Sequence, residues 1–376
     1  MYFYAQLKKE HRYITPEFKM VLAILKNILH QKNEALPRLS IDNKKILYYL
    51  ASNNLNAYVA ASAHQFPELK DIKSKIWMQA KRSLRTNLAL QVDLLKVIDL
   101  AQKNNIQLLL FKGHPVNEWI YGHNHLRTST DVDVCIPPKD IPVFEKLLLE
   151  KGYINDRPTF SLNEKEFAVF LKIDNEKSYS SPTKTKLDVH FKLFKNPYLL
   201  VLPEDNSACI IEDTYYNKKI FRLNDAYTLL YLMVHGKIHY WGKMMWLVDI
   251  AKLTQKLSQE TLQEAFHLAQ KNKLEPLFLA TLSLCNIALE MPIPHHFAEK
   301  INNKHAKYVM QGMESLSGKQ PSKISQWQQR VFMKKDFRFF FYQISLFPLR
   351  DMNIVKIPFA KRLLYPLLRP ITYLLS

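Results

Sequence analysis

Residues 111–136 read FKGHPVNEWIYGHNHLRTSTDVDVCI, and the stretch closes on a run in which Asp131, Asp133 and Cys135 alternate with Val132, Val134 and Ile136. Alternation at period two marks a strand with one polar and one buried face. Aspartate suits strands poorly, and carboxylates at i and i+2 stand about 7 Å apart on one face, where they repel unless a cation lies between or beside them. The pair therefore predicts a strand that meets a hard divalent ion. Just upstream, QLLLF (107–111) suits a buried strand, Lys112-Gly113 a turn, and the segment around Val116 to Tyr121 a short helix. Downstream, TKLDVHFKLF (185–194) alternates again, with Asp188, His190 and Lys192 on one face and Leu187, Val189 and Phe191 on the other.

Outward from these strands the pattern turns helical. Apolar residues recur at threes and fours between residues 16 and 105, and again from Asn224 to about residue 312. Asp140 is placed to cap a helix that runs to Glu150 and stops at Gly152, and SGKQPSKIS (317–325) reads as a linker. The expected architecture is α+β, a small mixed sheet flanked by N- and C-terminal helical regions. Its segments are a helical region over 1–86, an α/β core over 87–223, a helical domain over 224–316, and a linker with a basic apolar segment over 317–376.

Composition narrows the class of partner. Hydrophobic residues make up 47% of the 376 and aromatics 12%, which excludes a disordered chain. The formal net charge of +19 favours polyanions: nucleic acid, nucleotide phosphates or an anionic membrane face. Cys135, Cys209 and Cys285 are too scattered for a disulfide framework or a CxxC metal site, so a reducing, cytoplasmic compartment is expected. Neither a secretion signal nor a membrane span is predicted.

Phosphoryl transfer commonly uses two divalent ions, one activating the attacking oxygen and one stabilising the leaving oxygen. Asp131 and Asp133 on one strand, with Asp188 from a neighbouring one, supply such a carboxylate set. Lys112 and Arg127 are candidate triphosphate cations, and Gly113 allows close backbone approach at a turn into a helix N-terminus.

The run FKGHPVNEWIYGHNHLRTSTDVDVCI, followed by LDVHFKLF, resembles the bacterial uncharacterised nucleotidyltransferase family of the polymerase-β superfamily, whose members carry KG, then R with DxD, then a strand of the DLH type. VHGKIHYWGKMMWLVDIAKL is similar to that family's His- and Trp-containing helix ending in WLxDIA. In place of the superfamily's usual Gly-Ser turn, Lys112 precedes Gly113 and His114 follows it. The resemblance implies transfer of a nucleoside monophosphate from a triphosphate such as ATP, dependent on Mg²⁺ or Mn²⁺ held by Asp131, Asp133 and Asp188. Lys112, Gly113, Arg127 and His190 would then contact the nucleotide. It leaves the acceptor open among RNA ends, small molecules, saccharides and protein hydroxyls. Two other readings stand beside it: a non-catalytic nucleotide- or RNA-binding module, and a peripheral membrane scaffold.

Elsewhere the expectations are plainer. His235 and His239 lie at i and i+4 without an HExxH context, which points to structure or substrate contact rather than a metal pair. Trp241, Trp246 and Asp249 read as helix core. The tail from Lys334 to Ser376 carries eight cations among apolar residues, and Pro348, Pro358, Pro366 and Pro370 favour packing on the body over a membrane-lying helix.

Overall fold

The computed structural model describes residues 14–122, 125–159, 162–202 and 208–346. Helix α1 (Pro16–His30) opens where the Thr15 hydroxyl accepts from the Phe18 amide, with proline in the first turn. The Asp42 carboxylate caps α2 (Asn43–Ser52) by accepting from the Lys44 amide. Asn54 takes a positive φ of 60°, which ends α2 and lets α3 (Asn56–Ser62) start afresh. Then follow α4 (Lys73–Lys103), β1 (Leu109–Leu110), β2 (Val132–Cys135), α5 (Ile141–Glu150), β3 (Ile154–Arg157), α6 (Glu164–Ile173), β4 (Glu176–Ser180), β5 (Lys186–His190), β6 (Ile210–Tyr215) and β7 (Lys218–Leu223). The rest is helical: α7 (Asp225–Ile238), α8 (Met244–Lys256), α9 (Gln259–Lys271), α10 (Glu275–Leu289), a single turn at His295–Ala298, α11 (Asn303–Leu316), α12 (Lys323–Val331) and α13 (Phe337–Ser345).

Of the described residues, those within Met1–Gln91, Lys112–Thr130 and Asn224–Gln326 form one compact unit, and those within Val92–Phe111, Asp131–Leu223 and Trp327–Ser376 a second. The segments expected from sequence are continuous stretches of chain; the compact units interleave.

The first unit is helical. Helix α7 is apolar on nearly every side, and Leu229, Leu230, Tyr231, Met233 and Val234 are all buried in its core, as a helix of that pattern requires. After α7 the chain reverses through Tyr240 and Trp241, both at positive φ (55° and 56°), and Trp241 lies back over Gly236. A Cβ at Gly236 would stand 2.3 Å from the indole Cζ3, so only glycine allows this approach.

The second unit holds the sheet. Among the described residues seven strands lie in the order β3-β4-β5-β2-β1-β7-β6, with β2 parallel to β5, β1 parallel to β7 and the other neighbours antiparallel. Val132, Val134, Leu187 and Val189 form a buried face. Tyr179 pairs in register with Leu187, and Lys177 with Val189, so both share that face. Lys177 reaches Glu145 of α5, which places this helix over the apolar side. The opposite face is polar and carries the candidate site.

The described start of the tail packs within this unit. The Asn196 amide donates to the Phe339 carbonyl at 3.0 Å, Lys334 to the Tyr198 carbonyl, and the Tyr342 hydroxyl to the Lys172 carbonyl. Residues 347–376, with the four prolines, lie outside the described residues. No helix among the described residues is long and apolar enough to cross a membrane.

Candidate functional site

Strands β2 and β5 run in parallel register, Val132 opposite Leu187, Asp133 opposite Asp188 and Cys135 opposite His190. Because the side-chain period is two on both strands, Asp133, Asp188 and His190 emerge on one face. Asp133 is buried and Asp188 half-buried. Asp131 is also half-buried and sits one residue before β2, at the entry to the strand rather than within it.

Strand β4 completes the arrangement and brings residues that period alone did not single out. It pairs antiparallel with β5, setting Ser178 opposite Asp188 and Glu176 opposite His190. The His190 Nε2 stands 3.1 Å from Asp133 Oδ1 and 3.3 Å from Glu176 Oε2, and its Nδ1 lies 3.0 Å from Asn175 Nδ2. The same Asn175 nitrogen donates to Glu176 Oε2 at 2.9 Å, so it is the amide N–H₂ end and His190 Nδ1 accepts from it. In the neutral imidazole the proton is then on Nε2, directed at the carboxylates. The Phe111 ring stands edge-on to the His190 ring with centroids 5.0 Å apart, which fixes the imidazole plane. His190, expected at the nucleotide, is thus placed beneath Asp133, only 1% exposed.

The electrostatics of this face are those of crowded carboxylates. Burial raises the pKa of Asp188, and the charges of Asp133 and Glu176 raise it further, against a hydrogen bond from Ser178 and the nearby His190. Among the described residues no group of three or more His, Cys, Asp or Glu side chains is gathered tightly enough to enclose a metal ion unaided. The donor set nevertheless fits a hard ion whose shell is completed by substrate: Mg²⁺ is commonly held by one or two carboxylates together with phosphate oxygens and water. A cation there would relieve the repulsion that Asp188 records.

The other predicted residues belong to the helical unit. Lys112 is half-buried, and Gly113 is buried at a φ of 74°, a left-handed conformation that suits glycine. His114 is 1% exposed, and burial with the nearby Arg127 charge holds its imidazole down at about 4. The expected short helix is a π-helical turn, Asn117–Tyr121. Arg127, expected at the triphosphate, is buried instead: its Nε donates to Asp249 Oδ2 at 2.8 Å, and its Nη1 to Ser129 Oγ at 3.0 Å and the Gly113 carbonyl at 3.3 Å. The Asn117 amide clamps the Arg127 backbone at both N and O (2.7 and 2.8 Å). Asn87 adds a bond to the Arg127 carbonyl and accepts from the Ser129 amide. The second Asp249 oxygen accepts from the Tyr121 hydroxyl at 2.7 Å. Asp249, read from sequence as core, is therefore the anion about which the KG turn and the 127–129 strand entry are organised.

His235, His239 and Trp246 cluster with ring centroids 4.6 to 5.4 Å apart. Glu176 and Asp249 were the residues missed. For Asp249 a signal exists, since a lone acid inside WLVDIA has to be paired when that helix is buried. For Glu176 the only signal is the alternation of Glu176, Ser178 and Ser180 against Lys177 and Tyr179.

No curated protein matches the chain. The sequence profile of a family described as uncharacterised nucleotidyltransferases matches residues 40–290, which span the KG turn, the DxD and DxH strands, and α7 and α8. The chain belongs to this uncharacterised nucleotidyltransferase family.

Proposed function

We propose that the protein transfers a nucleoside monophosphate from a triphosphate such as ATP to an acceptor hydroxyl or phosphate, with Asp131, Asp133 and Asp188 as ligands to Mg²⁺ or Mn²⁺. The observation that carries this reading is the facing of Asp133 and Asp188 in parallel register on a polar sheet face, where burial and then the Asp133 and Glu176 charges raise the Asp188 pKa. Such ions, held by these carboxylates, would supply charge neutralisation at the phosphates and lower the proton affinity of the attacking group.

The chain's own residues position and move a proton. The acceptor oxygen bonds to the α-phosphorus as the bond from that phosphorus to the β-phosphate oxygen breaks, and pyrophosphate leaves with the bonding pair. The proton released by a hydroxyl acceptor passes to the Asp188 carboxylate. His190 holds Asp133 in orientation through Nε2. Lys112 and the Gly113 amide bind phosphate oxygens. Arg127 acts through the turn it ties to Asp249, because its Nε and Nη1 are committed to protein partners.

The net charge of +19 favours an RNA end as acceptor. Labelled ATP, GTP, CTP and UTP incubated with cellular RNA, protein and metabolite fractions test the assignment. Label should enter one fraction only with Mg²⁺ or Mn²⁺ present, and Asp133→Asn should abolish it. Transfer that persists in the folded variant, or no transfer to any fraction by the wild type, overturns it.

A further inference from the structure

A cavity of about 350 Å³ opens within the sheet unit, between the C-terminal half of α4, the turn that follows α5 and the turn that follows β4. None of the residues lining it belongs to the polar sheet face. Its α4 wall presents Asp93, Lys96, Leu100 and Lys103, residues at helical spacing, and the two turns add Lys151, Tyr153 and Pro182. Clefts that bind small molecules start at about this size and pair an apolar wall with a few polar groups.

The charges within it are unevenly used. The Asp93 carboxylate is buried, accepts from Thr185 and Thr183, and pairs with Lys96 at 3.4 Å. Asp99 pairs with Lys218 at 2.5 Å. Lys103 and Lys151 form no ion pair among the described residues, so the rim keeps two cations in excess. Tyr153 is 6% exposed, and its hydroxyl is buried with no hydrogen-bond partner. A buried hydroxyl in that state costs free energy unless a ligand or water satisfies it. Burial and the Asp93 charge raise its pKa, so it keeps its proton and donates.

We propose that this cavity is a second ligand site, independent of the carboxylate face, which takes a small phosphate ester of mononucleotide size. The phosphate lies among Lys96, Lys103 and Lys151, an ester or sugar oxygen accepts from Tyr153, and the organic part rests on Leu100 and Pro182. Amines at a rim with a neutral donor at the base suit a phosphate ester better than a cation or an apolar ligand.

The test uses the full chain with AMP as probe and EDTA present, so that metal-dependent nucleotide binding does not contribute. Lysine accessibility is footprinted by reductive methylation, and affinity is measured by calorimetry. AMP should protect Lys96, Lys103 and Lys151 saturably, and inorganic phosphate should do so at least tenfold more weakly. The double substitution Lys103→Ala/Lys151→Ala, at exposed positions, should weaken AMP binding at least tenfold without changing the melting temperature. Tyr153→Phe should weaken it several-fold and leave the ligand-free protein as stable as before. The proposal is overturned by absence of saturable AMP binding in EDTA, by protection at other lysines only, or by full affinity in the double variant. Inorganic phosphate as potent as AMP, or protection by a single-stranded oligonucleotide but not by AMP, overturns it as well.

Discussion

The Arg127 guanidinium donates through Nε to Asp249, 122 residues further along the chain, at 2.8 Å, with Arg127 10% and Asp249 0% exposed at the side chain. Removing one partner of such a pair leaves a buried charge without its counterion, which typically costs about 3 to 5 kcal/mol. Asp249→Ala should therefore unfold at markedly lower urea than wild type. Arg127→Met/Asp249→Leu should recover much of the loss, since neither charge then remains. Additive losses in the two single variants and the double variant would show that the pair is not coupled.

The carboxylate face opposes stability in order to hold charge. Asp188→Asn removes a group whose ionised form is disfavoured by burial and by Asp133 and Glu176. It should raise the melting temperature of the metal-free protein while lowering nucleotidyl transfer about a hundredfold or more. A variant that is less stable and fully active would reverse both halves of this expectation.

His190 and Glu176 give a separable prediction. His190→Ala removes the Nε2 donor from Asp133 and leaves that buried carboxylate short of a partner, at a cost of about 1 to 3 kcal/mol. His190→Gln, which keeps a donor, should lose less. Glu176→Gln removes one negative neighbour of Asp188 and should lower the Asp188 pKa, read from its carboxyl carbon shift in NMR titration. An unmoved Asp188 titration would place Glu176 too far away to matter.

Lys237 is 2% exposed, lies with its Nζ 4.8 Å from the Tyr308 ring centroid, and burial with the Lys307 charge lowers its pKa to about 8. Between about pH 8 and the unfolded value near 10.4, the unfolded chain holds this proton and the folded chain does not, so stability rises with pH across that window. Below pH 8 the folded protein bears the cost of the buried ammonium. Lys237→Met should therefore be the more stable protein at pH 7, by up to about 3 kcal/mol, with the advantage shrinking as the pH approaches 10. Denaturant titrations of both proteins at pH 7, 8.5 and 9.5 measure the difference directly, and a constant gap would remove the titration from the account.

Gly236→Ala should destabilise the helical unit by about 1 to 3 kcal/mol in spite of alanine's better helix propensity, because the added methyl would meet the Trp241 ring. Thermal unfolding reads the sign. A gain in stability would mean that the indole moves aside at no cost.

What could be read in the sequence was what repeats locally. The period-two runs at DVDVCI and KLDVH are strands, and their aspartates face each other, because alternation is written into neighbouring residues. Strand β4 was not recognised, since EKSYS is short and, apart from Tyr179, polar. The hairpin of β6 and β7 went unread too, although Tyr216 and Asn217, both at positive φ, form its turn. The partnership of Arg127 with Asp249 had no local trace on the arginine side, where an arginine four residues before Asp131 reads as a phosphate ligand. Burial is decided by tertiary contacts that one segment does not contain.

The interleaving of the two compact units has a consequence for how this protein is made. The chain passes from one unit to the other after Gln91, Phe111, Thr130, Leu223 and Gln326. Strand β1 lies between β2 and β7, yet β7 comes more than 100 residues after β1. A nascent chain that has emerged from the ribosome only as far as residue 200 carries both aspartate strands but leaves one edge of β1 uncovered. The helical unit has to wait longer still, for α7 to α11. A truncation that ends before residue 218 lacks β7 beside β1 and should therefore yield protein prone to edge-strand aggregation.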